Sequence, residues 1–184
     1  MILVGASLIT ALTTYVFLIK GLLKEGLEQS FATWFLWALL DLIAALSMLF
    51  KGGNYQLALF YTFFGVLIAG LLLYKKQFSW SWLETLVTCL VILCLWIWAT
   101  SGDRAATIAS TTAMAIATTP QLVAAWKKPS TAGSPFIWGG YTVANLFSLF
   151  GGKAWNIEER FYPAVCVVLC LWLAMLTSRK TKNT

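Results

Sequence analysis

Residues 118–152 read TTPQLVAAWKKPSTAGSPFIWGGYTVANLFSLFGG. A Pro-Gln pair interrupts an apolar run, a short basic loop follows, and Trp138, Tyr141 and Asn145 are spaced along the next apolar run. Residues 13–53, TTYVFLIKGLLKEGLEQSFATWFLWALLDLIAALSMLFKGG, keep the same order: a Thr-Thr pair, a polar loop, then Trp34, Trp37 and Asp41. The two triplets stand at a constant offset of 104 residues (34 to 138, 37 to 141, 41 to 145). FKGG closes the first copy and FGG the second. The layout predicts an internal duplication; chance likeness between apolar helices is the competing explanation.

Composition names the solvent. Of 184 residues 60% are hydrophobic and only 11% charged, and the mean hydropathy is +0.79. A water-soluble domain this apolar could not cover its own surface. The chain is expected to be a multi-pass integral membrane protein in contact with the lipid bilayer, in the inner (plasma) membrane if its host is a bacterium. Its net charge of +6 does not point to nucleic acid, because Lys and Arg stand singly or in pairs between apolar runs, the pattern of topology signals. Cys89, Cys94, Cys166 and Cys170 all fall in apolar stretches without a CxxC pair, and the chain has no His. They read as small apolar fillers, not as a metal site. The N-terminal run lacks a basic leader and reads as a retained helix.

A crossing needs about 20 apolar residues. Seven runs qualify, roughly 2–20, 31–50, 55–74, 79–100, 105–126, 135–151 and 162–178, and none alternates in polarity as barrel strands do. The expected fold is an all-α membrane protein of seven transmembrane helices. Four crossings separate the two copies, so both insert in the same direction. Two parallel three-helix repeats, residues 1–76 and 101–184, joined by a linker helix at 77–100, make a three-plus-one-plus-three plan of a kind that transporters use. Lys20, Lys24, Lys75, Lys76, Lys127, Lys128, Arg179, Lys180 and Lys182 fall on one side of such a molecule. Lys51, Arg104, Lys153 and Arg160 fall on the other. The asymmetry places the C-terminus in the cytoplasm and the N-terminus outside.

TTPQL…WKKPSTAGSPF resembles the PQ-loop signature of SWEET and semiSWEET sugar transporters and of lysosomal PQ-loop amino-acid exporters. The motif stands intact once, with Tyr15-Val16 in place of Pro-Gln in the first copy. WFLWALLD and WGGYTVAN are also similar to the substrate motif of Pnu-type nicotinamide riboside transporters. Either resemblance implies solute transport through a pocket between two bundles. The PQ-loop resemblance further implies a gating hinge at Pro120, which removes a backbone hydrogen bond in any case. Gln121 beside it is expected to cap the freed carbonyls.

Asp41 lies about ten residues, or roughly 15 Å, from either end of its run. A carboxylate there costs about 2.5–3.5 kcal/mol or more, so it must face a bundle interior or a watery cavity. It could bind a cationic solute group, carry a coupling proton, or lock packing by a hydrogen bond. Positions i, i+3 and i+7 turn through about 300° and 700°, so Trp34, Trp37 and Asp41 share one helical face. Trp138, Tyr141 and Asn145 share another. Opposed, they would form an aromatic cage with a polar floor, suited to sugar CH faces, nucleobases or cations; belt or core packing is the plain alternative. Trp80, Trp82, Trp96 and Trp98 read as interfacial anchors. Ala105, Ala109, Ala113 and Ala117 form a stripe for close helix approach. Glu84 is placed to snorkel or to pair with Lys75 or Lys76. Glu158, Glu159 and Arg160 read as a solvated loop.

No His-based triad, zinc helix or phosphate-cradling Gly loop is present. The expectation is therefore not an enzyme and no cofactor, but a PQ-loop/SWEET-like transporter that moves a small polar organic solute, an amino acid or a sugar, by alternating access. A nicotinamide riboside carrier is the alternative within transport. A non-transporting seven-helix receptor of the KDEL-receptor type is the alternative from another class. A homo-oligomer is compatible with all three.

Overall fold

The computed structural model describes residues 2–24, 27, 29–76, 82–130 and 132–179. Trp80, Lys180, Lys182 and the side chain of Glu84 lie outside the described residues. The protein is all-helical: α1 (Ile2–Lys24), α2 (Phe31–Phe50), α3 (Gln56–Tyr74), α4 (Trp82–Ala117), α5 (Thr119–Lys127), α6 (Pro135–Gly151) and α7 (Ile157–Thr177). Among the described residues five stretches are long and apolar enough to cross a bilayer: Ile2–Lys24, Phe31–Phe50, Gln56–Tyr74, Thr85–Lys127 and Ile157–Thr177. Large side chains such as Ile9, Phe63, Ile92 and Val168 are exposed on their outer faces, a surface that suits lipid and not water.

Local chemistry sets the helix limits. Ser30 caps α2 by accepting from the Thr33 amide, and Ser134 caps α6 by accepting from that of Ile137. Pro135 follows at the first turn of α6, where its missing N–H costs nothing. The two caps stand 104 residues apart, as the two triplets do. α4 has 36 residues and would span about 54 Å if straight, far more than the hydrocarbon thickness of roughly 30 Å. It is not straight: Gly102 (φ 80, ψ −178) separates two helical parts, in a backbone region open to glycine. The expected helix over 105–126 is divided at Thr118, just before Pro120.

The expected start of the last helix at 162 is also corrected. α7 begins at Ile157 because the Asn156 side chain caps the Glu159 amide at 3.0 Å. Glu158 and Glu159 occupy its first turn, where acids suit the helix dipole. They are not a solvated loop. Glu159 is buried and accepts from the Lys153 amide, while Glu158 lies 3.6 Å from Arg104.

α3 packs on both α1 and α2, and α7 packs on α6, α4 and α5. Between these groups, α1 lies along α6 and α2 along α4. Paired sites recur at the 104-residue offset. Ser47 on α2 meets Thr107 on α4 at 2.8 Å. Their counterparts, Gly151 on α6 and Leu3 on α1, are close enough that a Cβ on Gly151 would lie 3.2 Å from that of Leu3. Thr14 and Thr118 are both buried, and each bonds the carbonyl four residues earlier at 2.8 Å.

In lipid, helices associate through close packing and interhelical hydrogen bonds. Gly140 on α6 is the tightest case, since a Cβ there would come within 2.3 Å of the Thr14 hydroxyl on α1. On α4 the closest face is not the predicted alanine stripe alone. Thr107, Ser110 and Thr111 are fully buried beside Ala113 and Ala117, whereas Ala105 and Ala109 are half-exposed.

Candidate functional site

A cavity of about 80 Å³ lies where α1, α2, α3, α4, α6 and α7 meet. Trp34, Trp37, Asp41, Trp138 and Tyr141 all line it, so residues of both predicted faces meet at one cavity. Asn145 does not line it. That side chain is fully buried behind the wall, donating its amide to the Tyr61 hydroxyl at 2.9 Å and to the Tyr141 carbonyl at 2.8 Å. Both donors of its amide are committed to protein acceptors, while its Oδ1 is buried without a partner.

Three tyrosines complete the wall without having been singled out in the sequence. The Tyr15 ring stacks on Phe64 with centroids 4.6 Å apart and meets Tyr141 edge-on at 5.2 Å. Tyr61 stands edge-on to Tyr141 at 5.8 Å. Tyr162 donates its hydroxyl to Asp41 Oδ1 at 2.8 Å. Trp34 and Trp37 form an edge-on pair at 5.3 Å. Cys166 and Cys170, read as fillers, also face the cavity. Among the described residues no cluster of His, Cys, Asp and Glu could hold a metal ion.

Asp41 is the only acidic or basic side chain among the lining residues, and the ion pairs of the described residues, Lys51 with Asp103 and Arg104 with Glu158, do not include it. Among the described residues the carboxylate has a single neutral hydrogen-bond donor and no counter-charge. The indole Nε1 of Trp37 is buried and makes no hydrogen bond. An unmet buried donor costs about 1–3 kcal/mol. The Tyr141 hydroxyl on the same wall is likewise buried without a partner, so the cavity offers two unused donors, one acidic acceptor and several aromatic faces.

Two hydrogen-bonded layers, one at each end of the molecule, tie the first half of the chain to the second. At the end that gathers the α1, α3, α5 and α7 C-termini, the Ala132 carbonyl accepts from Gln121 Nε2 at 2.9 Å, Trp138 Nε1 at 3.2 Å and Gln29 Nε2 at 3.4 Å. Trp34 Nε1 donates to the same Gln29 side chain at 3.0 Å. Of the cage tryptophans, Trp138 directly and Trp34 through Gln29 are therefore latched to one carbonyl. A carbonyl has two lone pairs, so the longest of the three bonds is the one to yield. Gly133 (φ 118) makes room, since a Cβ there would lie 2.8 Å from Trp138 Nε1. Gln121 therefore pins this loop and does not cap the carbonyls freed by Pro120.

At the opposite end, Asn54 Nδ2 donates to the Ser148 carbonyl at 2.8 Å and its hydroxyl at 3.1 Å, while the Asn54 amide donates to the Glu158 carbonyl. Trp98 belongs to this layer: its indole donates to Asp103 Oδ1 at 2.7 Å, and it is not a plain interfacial anchor. Trp82 and Trp96 are exposed on the outer surface, as anchors would be.

Residues 13–53 lack the Pro-Gln of residues 118–152, and α1 runs unbroken through Tyr15 and Val16. Tyr15 instead gives its ring to the cage. No protein-family model, curated protein or solved structure matches this chain.

Proposed function

We propose that the chain carries a small polar organic solute, an amino acid or a sugar, across a membrane by alternating access. The reading rests above all on one observation. An aromatic cavity whose carboxylate has no charged partner among the described residues lies between two halves of the chain, and a hydrogen-bonded layer at each end of the molecule joins those halves. Rocking the halves apart at one layer while the other holds would expose the cavity to one side at a time.

Seven crossings in a three-plus-one-plus-three plan are part of this proposal. Trp98 and Asp103, on either side of Gly102, sit at the Asn54 end, while Trp126 lies against Arg179 at the other. That placement favours two passes within residues 82–127. α6 has 17 residues, about 25 Å of helix, enough for a short crossing. The placing of α3 and α7 within their groups and the paired sites 104 residues apart favour the duplication. The excess of Lys and Arg at the Ala132 end makes that end cytoplasmic.

Asp41 receives a cationic group of the solute or a coupling proton, the Trp37 N–H meets an acceptor, and the rings enclose the apolar part. Pro120 is the hinge beside the Ala132 layer. Nicotinamide riboside is the second reading within transport, favoured by the tryptophan pair four and seven residues before the carboxylate. Small-molecule sites usually measure about 300–1,000 Å³, so a solute of that size requires the cavity to widen.

The test is flux of labelled amino acids, sugars and nicotinamide riboside into liposomes holding the purified protein. Saturable, counterflow-competent uptake supports transport. Saturable binding without flux would make the protein a receptor.

A further inference from the structure

A second concavity opens on the outer surface, between the end of α4, α5 and α7. It measures about 580 Å³ and is lined by apolar side chains, including Ile116, Leu122, Val123, Trp126 and Trp172, with Thr112 and Thr119 the only polar groups. Val123, Trp126 and Trp172 are substantially exposed, so the groove faces away from the protein interior. Its rim is basic. The Arg179 guanidinium lies 4.1 Å over the Trp126 ring, and Lys127 follows Trp126 directly at the C-terminus of α5. Arg179 joins neither ion pair of the described residues. The acids described outside the cavity, Asp103, Glu158 and Glu159, are all at the other end of the molecule.

We infer that this groove binds one anionic phospholipid, an acyl chain lying along α5 and α7 and the headgroup phosphate held by Arg179 and Lys127. A groove that is apolar along its length and cationic at one rim complements an amphiphile with an anionic head. A free anion would use the rim and leave the groove empty. A second copy of the chain would bring another basic rim against this one.

The position gives the lipid a means of action. Leu169 on α7 lines both this groove and the central cavity, and Thr119 and Leu122 flank the Pro120–Gln121 pair. A chain seated there braces α5 against α7 at the point where the Ala132 layer would have to open. The inference needs the membrane-spanning character of the helices and does not depend on transport.

The experiment is thermal unfolding of the full chain in neutral detergent with added phosphatidylglycerol or phosphatidylcholine, read alongside intact-complex mass spectrometry. Phosphatidylglycerol is expected to raise Tm by about 5 °C and to leave one lipid bound, with phosphatidylcholine doing neither. The pair Arg179→Gln and Lys127→Gln should remove most of the shift, and so should Val123→Trp, which fills the groove from its exposed side. Lys51→Gln with Lys153→Gln, at the far end, should leave the shift intact. Equal stabilisation by both lipids, a shift that survives in the rim and groove variants, an equal shift with soluble glycerophosphate, or a dimer that excludes lipid would each overturn the assignment.

Discussion

Replacing Asp41 by Asn should push stability and function in opposite directions. The amide has the same shape and keeps an oxygen to accept from Tyr162, whose hydroxyl now lies 2.8 Å from Oδ1. Removing a charge from the middle of α2 recovers about 2.5–3.5 kcal/mol of insertion cost. A neutral acceptor in place of a charged one loses about 1 kcal/mol of hydrogen-bond strength. The balance is a gain of roughly 2 kcal/mol, or about 4–8 °C in Tm for a chain of this length. Binding moves the other way. A cation 4 Å from the carboxylate at an effective dielectric of 20 gains about 4 kcal/mol, so cationic solutes should bind on the order of 1,000-fold more weakly, while neutral ones change little. Should the carboxyl carry a coupling proton instead, the variant loses acceleration by a pH gradient yet still exchanges solute at equal concentrations. Thermal unfolding and liposome counterflow with charged and neutral solutes measure both halves. A variant that is no more stable and transports normally with unchanged pH dependence would refute the functional assignment and leave Asp41 a packing residue.

Gly140→Ala should lower Tm by about 3–8 °C, in line with the roughly 1–3 kcal/mol that overpacking costs, because its Cβ would sit 2.3 Å from the Thr14 hydroxyl. Adding Thr14→Ala should restore part of the loss, and Gly139→Ala, with open space at its Cβ, should cost nothing comparable; equal effects at both glycines would remove the close α1–α6 approach. With Cys89 and Cys94 replaced by Ser, Cys166 and Cys170 report on the cavity they line. Gln121→Ala combined with Gln29→Ala should raise their rate of maleimide labelling from the Ala132 side about tenfold, from interhelical bonds worth roughly 0.6–1.7 kcal/mol each, and bound solute should protect them. An unchanged rate would mean that this layer does not gate. Single cysteines at Lys51 or Lys153 should react with an impermeant reagent outside intact cells, and those at Lys75 or Lys127 should not; the reverse pattern would invert the proposed topology.

Residue type and spacing alone determined the solvent, the helical class and several element limits. Bilayer thickness demands long apolar runs, and the ends of α2 and α6 carry their own signals, Ser30 and Ser134 before them and glycines after. Helical periodicity also determined which side chains share a face, so five of the six proposed cage residues were legible. It could not say which neighbouring helix supplies the opposite wall. Tyr61 and Tyr162 sit in apolar runs like any core aromatic, and only packing aims them at Tyr141 and Asp41. Asn145 matched Asp41 by register, yet it does not line the cavity and gives its amide to Tyr61 and Tyr141. The Ala132 latch was not legible in the sequence, because its acceptor is a main-chain carbonyl that every residue type carries; Gln121 and Trp138 reach it from 11 and 6 residues away, but Gln29 meets it only once the two halves of the chain have packed together.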